Sequence, residues 1–154
     1  MAQAKPPAGT LAARPGASLR VNLVTPRGVV AHDESDGLTA PGELGEFEVL
    51  PGHVPFLTAL RPGVLTIGER ERTRYAVSHG YLRIDASGTV EVLVDEAMPG
   101  EQVNLDVARA DLKTAEADLA RWGDQPTDGD WQNLRHRLEW AQARLDARQA
   151  ATAH

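Results

Sequence analysis

The chain has 154 residues and no cysteine, with 42% hydrophobic and 25% charged side chains and a formal net charge of −6. These proportions suit one folded core with an appendage and argue against two large domains or wholesale disorder. The missing thiols exclude disulfides and thiolate metal sites, and an acidic balance without a Lys/Arg cluster excludes a nucleic-acid surface. No apolar run approaches the roughly 20 residues that span a bilayer.

Residues 1–17 are rich in Ala, Pro and Gly and nearly devoid of large apolar groups, which predicts a flexible tail. They lack the apolar stretch of a secretory signal, so membrane association is expected only through a protein partner. From Leu19 the apolar spacing becomes two, with Leu19, Val21 and Leu23 on one face and Arg20, Asn22 and Val24 on the other. Thr25-Pro26-Arg27-Gly28 reads as a turn into a short strand over 29–31; residues 32–37 are polar, and 38–40 lead into the densest stretch of the chain.

That stretch, residues 41–63, reads PGELGEFEVLPGHVPFLTALRPG. Gly42 and Gly45 bracket Glu43 and Leu44, and glycine takes positive φ there without a steric penalty. Phe47, Val49 and Leu50 read as a strand. Pro51 and Gly52 suit the centre of a type II turn, which sets His53 on a sharply bent backbone. Val54, Phe56 and Leu57 resume the apolar run until Pro62-Gly63. Strands are then expected at Val64–Ile67, at 72–77, at Tyr81, Leu82 and Ile84, and at Val90, Val92 and Val94, with turns at Gly68-Glu69 and Asp85-Ala86-Ser87-Gly88. Many short strands with regular turn signals predict an antiparallel β-sandwich or flattened barrel over 18–98.

After a linker over 99–103, with Pro99-Gly100 as its natural hinge, the spacing changes to three and four, predicting a helical hairpin over 104–154. Leu105, Ala108, Leu112, Ala115, Leu119 and Trp122 share one helix face. Asn104 or Asp106 would cap the start and Gly123-Asp124-Gln125-Pro126 the end. Thr127 or Asp128 would cap a second helix with the stripe Trp131, Leu134, Leu138, Ala141 and Leu145. Two helices of roughly 27 Å each, joined by so short a loop, must run antiparallel. Alanines make their seam thin, because a methyl yields much less than the roughly 1.5–3 kcal/mol of a fully buried Leu.

Chemistry is hard to place. His32, His53, His79, His136 and His154 are scattered without metal-ligand spacing, which argues against a metal site. No phosphate-binding glycine loop and no nucleophile–base pair is visible, so the chain does not read as an enzyme.

The pattern G-x-x-G-E-F-x-V-L-P-G-H-x-P-F-L-x-x-L-x-P-G, together with YAVSHGYLRIDASGTVEVLVDEA and the terminal helix pair, closely resembles the epsilon subunit of bacterial F-type rotary ATP synthases. The resemblance implies a non-catalytic central-stalk subunit on the cytoplasmic face of the inner membrane, peripheral and without direct insertion. It would couple the catalytic head to the rotor ring, holding the gamma subunit and the ring of c subunits, and would inhibit ATP hydrolysis through its C-terminal helices.

Residue by residue, the resemblance makes Glu43, Leu44 and Gly45 rotor-ring contacts, or a simple turn, with Pro51, Gly52 and His53 a structural turn. Leu105, Asp106, Arg109 and Ala110 match the [IL]-D-x-x-R-A motif by which some members bind regulatory ATP, with Arg144 as a second cation; no cofactor is required. Capping accounts for the same motif, and a second family arginine falls on Trp140. Arg135, Arg137, Arg144 and Arg148 would engage the catalytic beta subunit when the helices extend, or form a solvated face. The rival reading is a free-standing sandwich adaptor that dimerises through its hairpin.

Overall fold

The computed structural model describes residues 18–152, so the tail expected over 1–17 lies outside the described residues, as does His154. Ten strands come first: β1 (Leu19–Thr25), β2 (Gly28–Ser35), β3 (Leu38–Gly42), β4 (Gly45–Val49), β5 (Phe56–Leu60), β6 (Gly63–Ile67), β7 (Thr73–Val77), β8 (Gly80–Ile84), β9 (Thr89–Val94) and β10 (Ala97–Pro99). A 3-10 turn at Gly100–Gln102 leads to α1 (Leu105–Ala120) and α2 (Gly129–Thr152). The architecture is a β-sandwich followed by two helices.

The strands form a continuous ladder in the order β10-β7-β6-β3-β5-β8-β9-β1-β2, with β4 paired on β3. All pairs are antiparallel except β1 with β9, which run parallel because the rest of the sandwich forms the crossover between them. One core collects the inward side chains of both halves, including Leu19, Leu23, Leu38, Leu60, Leu65, Leu82 and Val92. β2 is longer than the three residues expected. His32, Asp33 and Glu34 pair with Asn22, Val21 and Arg20 of β1, so the backbone ladder rather than side-chain burial holds this polar segment extended.

The β8–β9 turn shows how a local carboxylate holds a hairpin. Asp85 Oδ1 accepts from Ser87 Oγ at 2.6 Å, Ser87 N–H at 2.9 Å and Thr89 N–H at 3.1 Å. These bonds, the Ser87 hydroxyl first, hold the carboxyl below the usual carboxylate range. A depressed folded value gives stabilisation that is complete above the unfolded value and fades as pH falls through the folded one. Asp85→Asn keeps an acceptor oxygen but loses the charge. The melting-temperature gap between wild type and Asp85→Asn is therefore expected to narrow as pH falls from about 7 to about 3; a gap constant with pH would refute this account.

Asn104 caps α1, its Oδ1 accepting from Val107 N–H at 3.1 Å, while Asp106 sits in the first turn, where its charge suits the helix dipole. Asp128 starts α2, accepting from the N–H groups of Asp130 at 3.0 Å and Trp131 at 3.3 Å. Gly123 takes φ +64 just past α1. The helices are unequal rather than matched: 16 residues in α1 and 24 in α2, roughly 24 Å and 36 Å.

The extra length of α2 has a use that the expected stripe does not contain. Ala108 and Ala115 of α1 and Ala141 of α2 are buried in the helix–helix seam, but α2 also buries Ala143 and Ala147 and packs on β6 and β7. The surface beneath it is an outward-facing apolar row, Met98–Ala76–Val64, set by the pairings of β10 with β7 and β7 with β6. Ala76 is fully buried yet outside the sandwich core. The buried alanines of the hairpin and the second face of α2 are thus used within the chain, while Val107 of α1 is 50% exposed.

Candidate functional site

The stretch 41–63 separates in space into two turns. Glu43 and Leu44 form a two-residue hairpin between β3 and β4, closed by the Gly42–Gly45 pair, with Gly45 at φ +137. Leu44 is 106% exposed, a leucine projected from the fold with no neighbour to bury it. Glu43 N–H donates to Ala59 O at 3.2 Å and ties the hairpin to β5. Leu50–His53 forms the second turn: His53 N–H donates to Leu50 O at 3.1 Å, Pro51 is buried and Gly52 takes φ +88, the sign a type II turn requires. The His53 ring lies 5.0 Å from that of Phe56, and Phe56 lies edge-on to Phe47 at 5.7 Å. The two turns sit at opposite ends of β4, so Glu43, Leu44 and Gly45 are not brought together with Pro51, Gly52 and His53.

Beside the Leu44 hairpin begins a surface that sequence inspection missed. Ala59 pairs with Tyr81, Tyr81 with Leu93, Leu93 with Val24 and Val24 with Val29, so an apolar row crosses β5, β8, β9, β1 and β2 on their outer face. Tyr81 is 57% exposed, Leu93 47% and Val29 67%. The next row begins with the exposed Leu57 on β5 and is polar beyond it, with Arg83 bonded to Glu91 at 2.7 Å and His32 bonded to Asn22. Among the described residues no helix covers the apolar row, in contrast to its counterpart under α2. Single exposed apolar residues are ordinary, but a contiguous rank of them bordered by polar groups marks a contact surface. Each residue had a readable signal, apolar at an outward parity position; the alignment into one row needs the strand order.

In the hairpin, the motif residues separate. Leu105 and Arg109 line a groove of about 500 Å³ with Gln142, Leu145, Asp146, Arg148 and Gln149. Arg144 opens on a different groove with Glu96, Asp111, Arg137 and Trp140. It pairs with Asp111 at 3.0 Å, lies 5.3 Å from the Trp140 ring, and is only 12% exposed. Arg109 and Arg144 thus line different grooves in this conformation. Asp106 and Ala110 are exposed on α1.

The arginines of α2 are engaged in turn. Arg135 pairs with Glu139 at 3.1 Å and lies over Trp131. Arg137 reaches Asp118 of α1 at 3.3 Å, and Arg148 donates to Glu101 O at 2.6 Å. Three of the four, Arg137, Arg144 and Arg148, therefore fasten α2 to other parts of the chain, and the pairing of late α1 with early α2 confirms the antiparallel run. Asp118 is held below the usual carboxylate range, first by its hydrogen bond from Arg121. The exposed Arg137–Asp118 pair is screened by water and individually weak, whereas Arg144 is largely buried in its pair with Asp111.

A family profile described as ATP synthase, Delta/Epsilon chain, beta-sandwich domain matches residues 18–100. The ATP synthase epsilon chain of Geobacter sulfurreducens is 40% identical over 128 residues, covering 82% of this chain and 91% of the relative. That of Geobacter sp. (strain M21) is 39% identical over 140 residues, covering 87% and 96%. A chain in the cryo-EM structure of Euglena gracilis mitochondrial ATP synthase, OSCP/F1/c-ring in rotational state 1, superposes with a TM-score of 0.70 at 20% identity, over 98% of this chain and 90% of that one. A chain of the Tetrahymena thermophila mitochondrial ATP synthase central stalk/c-ring does so with a TM-score of 0.56 at 19% identity, over 87% and 96%, and at such identities the likeness is one of fold. With the sandwich matched along its whole length and relatives near 40% identity covering more than four fifths of the chain, this chain belongs to the family of ATP synthase epsilon chains.

Proposed function

We propose that this chain works as a non-catalytic central-stalk subunit of a proton-translocating F-type ATP synthase, peripheral to the cytoplasmic face of a bacterial inner membrane. The observation that carries the reading is the uncovered row Ala59–Tyr81–Leu93–Val24–Val29, which offers a gamma subunit a flat apolar face. Glu43, Leu44 and Gly45, at the end of the sandwich where that row begins, would meet the c ring. Torque would then pass by shape and burial alone, with no bond made or broken.

The hairpin supplies the regulation. Arg137, Arg144 and Arg148 hold α2 in its compact place, and on extension they, with Arg135, would exchange their partners for acidic groups of the catalytic beta subunit and block hydrolysis. A regulatory ATP bound to the compact form would be held by Arg109 and Arg148, because Arg144 faces another groove; torque transmission needs no cofactor.

Co-expression with gamma tests the grip. Tyr81→Thr with Leu93→Thr should lower capture by gamma at least about tenfold, as expected when central aromatic contacts are lost, while thermal melting of the chain stays within a few degrees because both side chains are exposed and a Thr–Thr pair suits adjacent strands. Unaltered capture would remove the row from the interface. Truncation after Val103 should raise ATP hydrolysis by the assembled enzyme, and unchanged hydrolysis at low proton-motive force would eliminate the regulatory part.

A further inference from the structure

Along its edge, where β8 begins and β9 and β1 end, the uncovered row drops into a groove. The hollow has a volume of about 440 Å³, with Val24, Pro26, Tyr81 and Leu93 as its apolar walls and Asp95 at its rim. Gly80 contributes bare backbone to the lining, and the close approach of β9 demands glycine there: a Cβ would sit 2.7 Å from Val94 Cα and closer still to the Leu93 carbonyl oxygen. We infer that this groove seats one apolar side chain of the gamma subunit, with a Lys or Arg beside it meeting Asp95.

The seat rests on the reading of the row as the gamma-binding face, and it says where on that face the contact concentrates. Val24, Tyr81 and Leu93 belong to both the row and the groove, so a partner lying on the row passes over the opening. A flat partner would leave a void there, and lining atoms with no neighbour on one side forfeit their dispersion contacts. A side chain that reaches in gains those contacts and buries its own apolar surface, which is how the few anchors that carry most of a binding energy are placed. Glu43, Leu44 and Gly45 lie at the β3–β4 hairpin, on the other side of β5, so a contact confined to that hairpin stops short of the groove.

Asp95 gives the seat its polarity. Its side chain is 63% exposed, and its ionic partner among the described residues is the His79 ring, at 2.8 Å, rather than a Lys or Arg. A carboxylate at the rim of an apolar opening draws a cation from the partner and repels an acidic segment, which fixes register more than it adds affinity.

Capture of gamma by the co-expressed full-length chain tests the seat with a matched pair of variants. Val24→Phe puts this chain's own ring into the groove, whereas Val29→Phe enlarges the same row at a position that does not line it. Val24→Phe should lower capture about thirtyfold or more, the loss of an anchor, and Val29→Phe by no more than about fivefold, as at most interface positions. Asp95→Asn keeps an acceptor for His79 and should lower capture about two- to fivefold at low salt, with the difference fading at high salt. Melting within a few degrees of wild type qualifies each variant; should Val24→Phe fall outside that limit, Leu93→Phe, at a 47% exposed position that also lines the groove, takes its place. Equal losses from the two phenylalanines, or unchanged capture by Asp95→Asn at low salt, overturn the inference. Losses confined to capture of an isolated c ring would assign the groove to the ring and overturn it as well. In either case Tyr81→Thr with Leu93→Thr would still weaken the hold on gamma if the row is the contact; if that double variant also binds gamma as wild type does, the reading of the row fails and the seat with it.

Discussion

Leu82→Ala should lower the stability of the sandwich by about 2–5 kcal/mol, the range for a buried leucine truncated in a close-packed core. Leu82 is fully buried, midway along β8, where it pairs with Thr58 of β5 on one side and Val92 of β9 on the other. Deleting its side-chain atoms removes contacts to both halves of the core at once, and the flanking strands are fixed by their ladders and can collapse only partly. For a unit of this size the loss corresponds to about 10–30 °C in melting temperature. Leu57→Ala is the matched control. Leu57 is also a strand leucine, but 66% exposed, and its truncation should stay within about 0.5 kcal/mol. Melting curves of the two variants followed by circular dichroism test the contrast, and similar losses would mean that the assignment of inner and outer faces is wrong.

Gly100→Ala should release α2 while leaving the sandwich folded. Gly100 is buried at the start of the 3-10 turn. A Cβ placed there would sit against the Ala147 carbonyl, 2.9 Å from its carbon and closer still to its oxygen, and 3.1 Å from Ala151 Cβ. The obstacle is helix backbone, which cannot rotate aside. Gly100 is absent from the glycines with positive φ, so the substitution meets no local backbone strain and its effect falls on the packing of α2. Overpacking of this kind costs about 1–3 kcal/mol, equivalent to about a five- to 150-fold shift between docked and released helix. Hydrogen exchange resolved by peptide should show α2 amides exchanging faster by that factor with the β8 and β9 amides unchanged. Protection of α2 at the wild-type level would show that the helix rests elsewhere. In the proposed regulatory scheme, this variant supplies a full-length chain biased toward the released hairpin.

Much of the fold was legible because it is governed by short-range geometry. Leu19, Val21 and Leu23 alternate with Arg20, Asn22 and Val24 because a strand turns successive side chains to opposite faces. Pro51-Gly52 and Gly123 mark chain reversals by their dihedral freedom alone, and Asn104 and Asp128 identify helix starts by the acceptor they carry. β2 was under-read because His32, Asp33 and Glu34 give no apolar signal, whereas their pairing with β1 is a backbone matter. The second face of α2 escaped for a related reason. Ala143 and Ala147 are weakly apolar and sit among Arg144, Asp146 and Arg148, so periodicity favours the leucine stripe.

The sequence by itself determined the sandwich, the helix pair and the family to which the chain belongs, since each depends on residues a few positions apart or on a long run of matched motifs. Only the tertiary structure decided which surfaces are covered. Two similar apolar rows cross the outer faces of the sandwich, Met98–Ala76–Val64 and Ala59–Tyr81–Leu93–Val24–Val29, and α2 lies on the first and not the second. Each row depends on pairings between strands that are not consecutive in the chain, β10 with β7 in the first and β5 with β8 and β9 with β1 in the second. Such contacts come from strand order and docking, which no local spacing encodes.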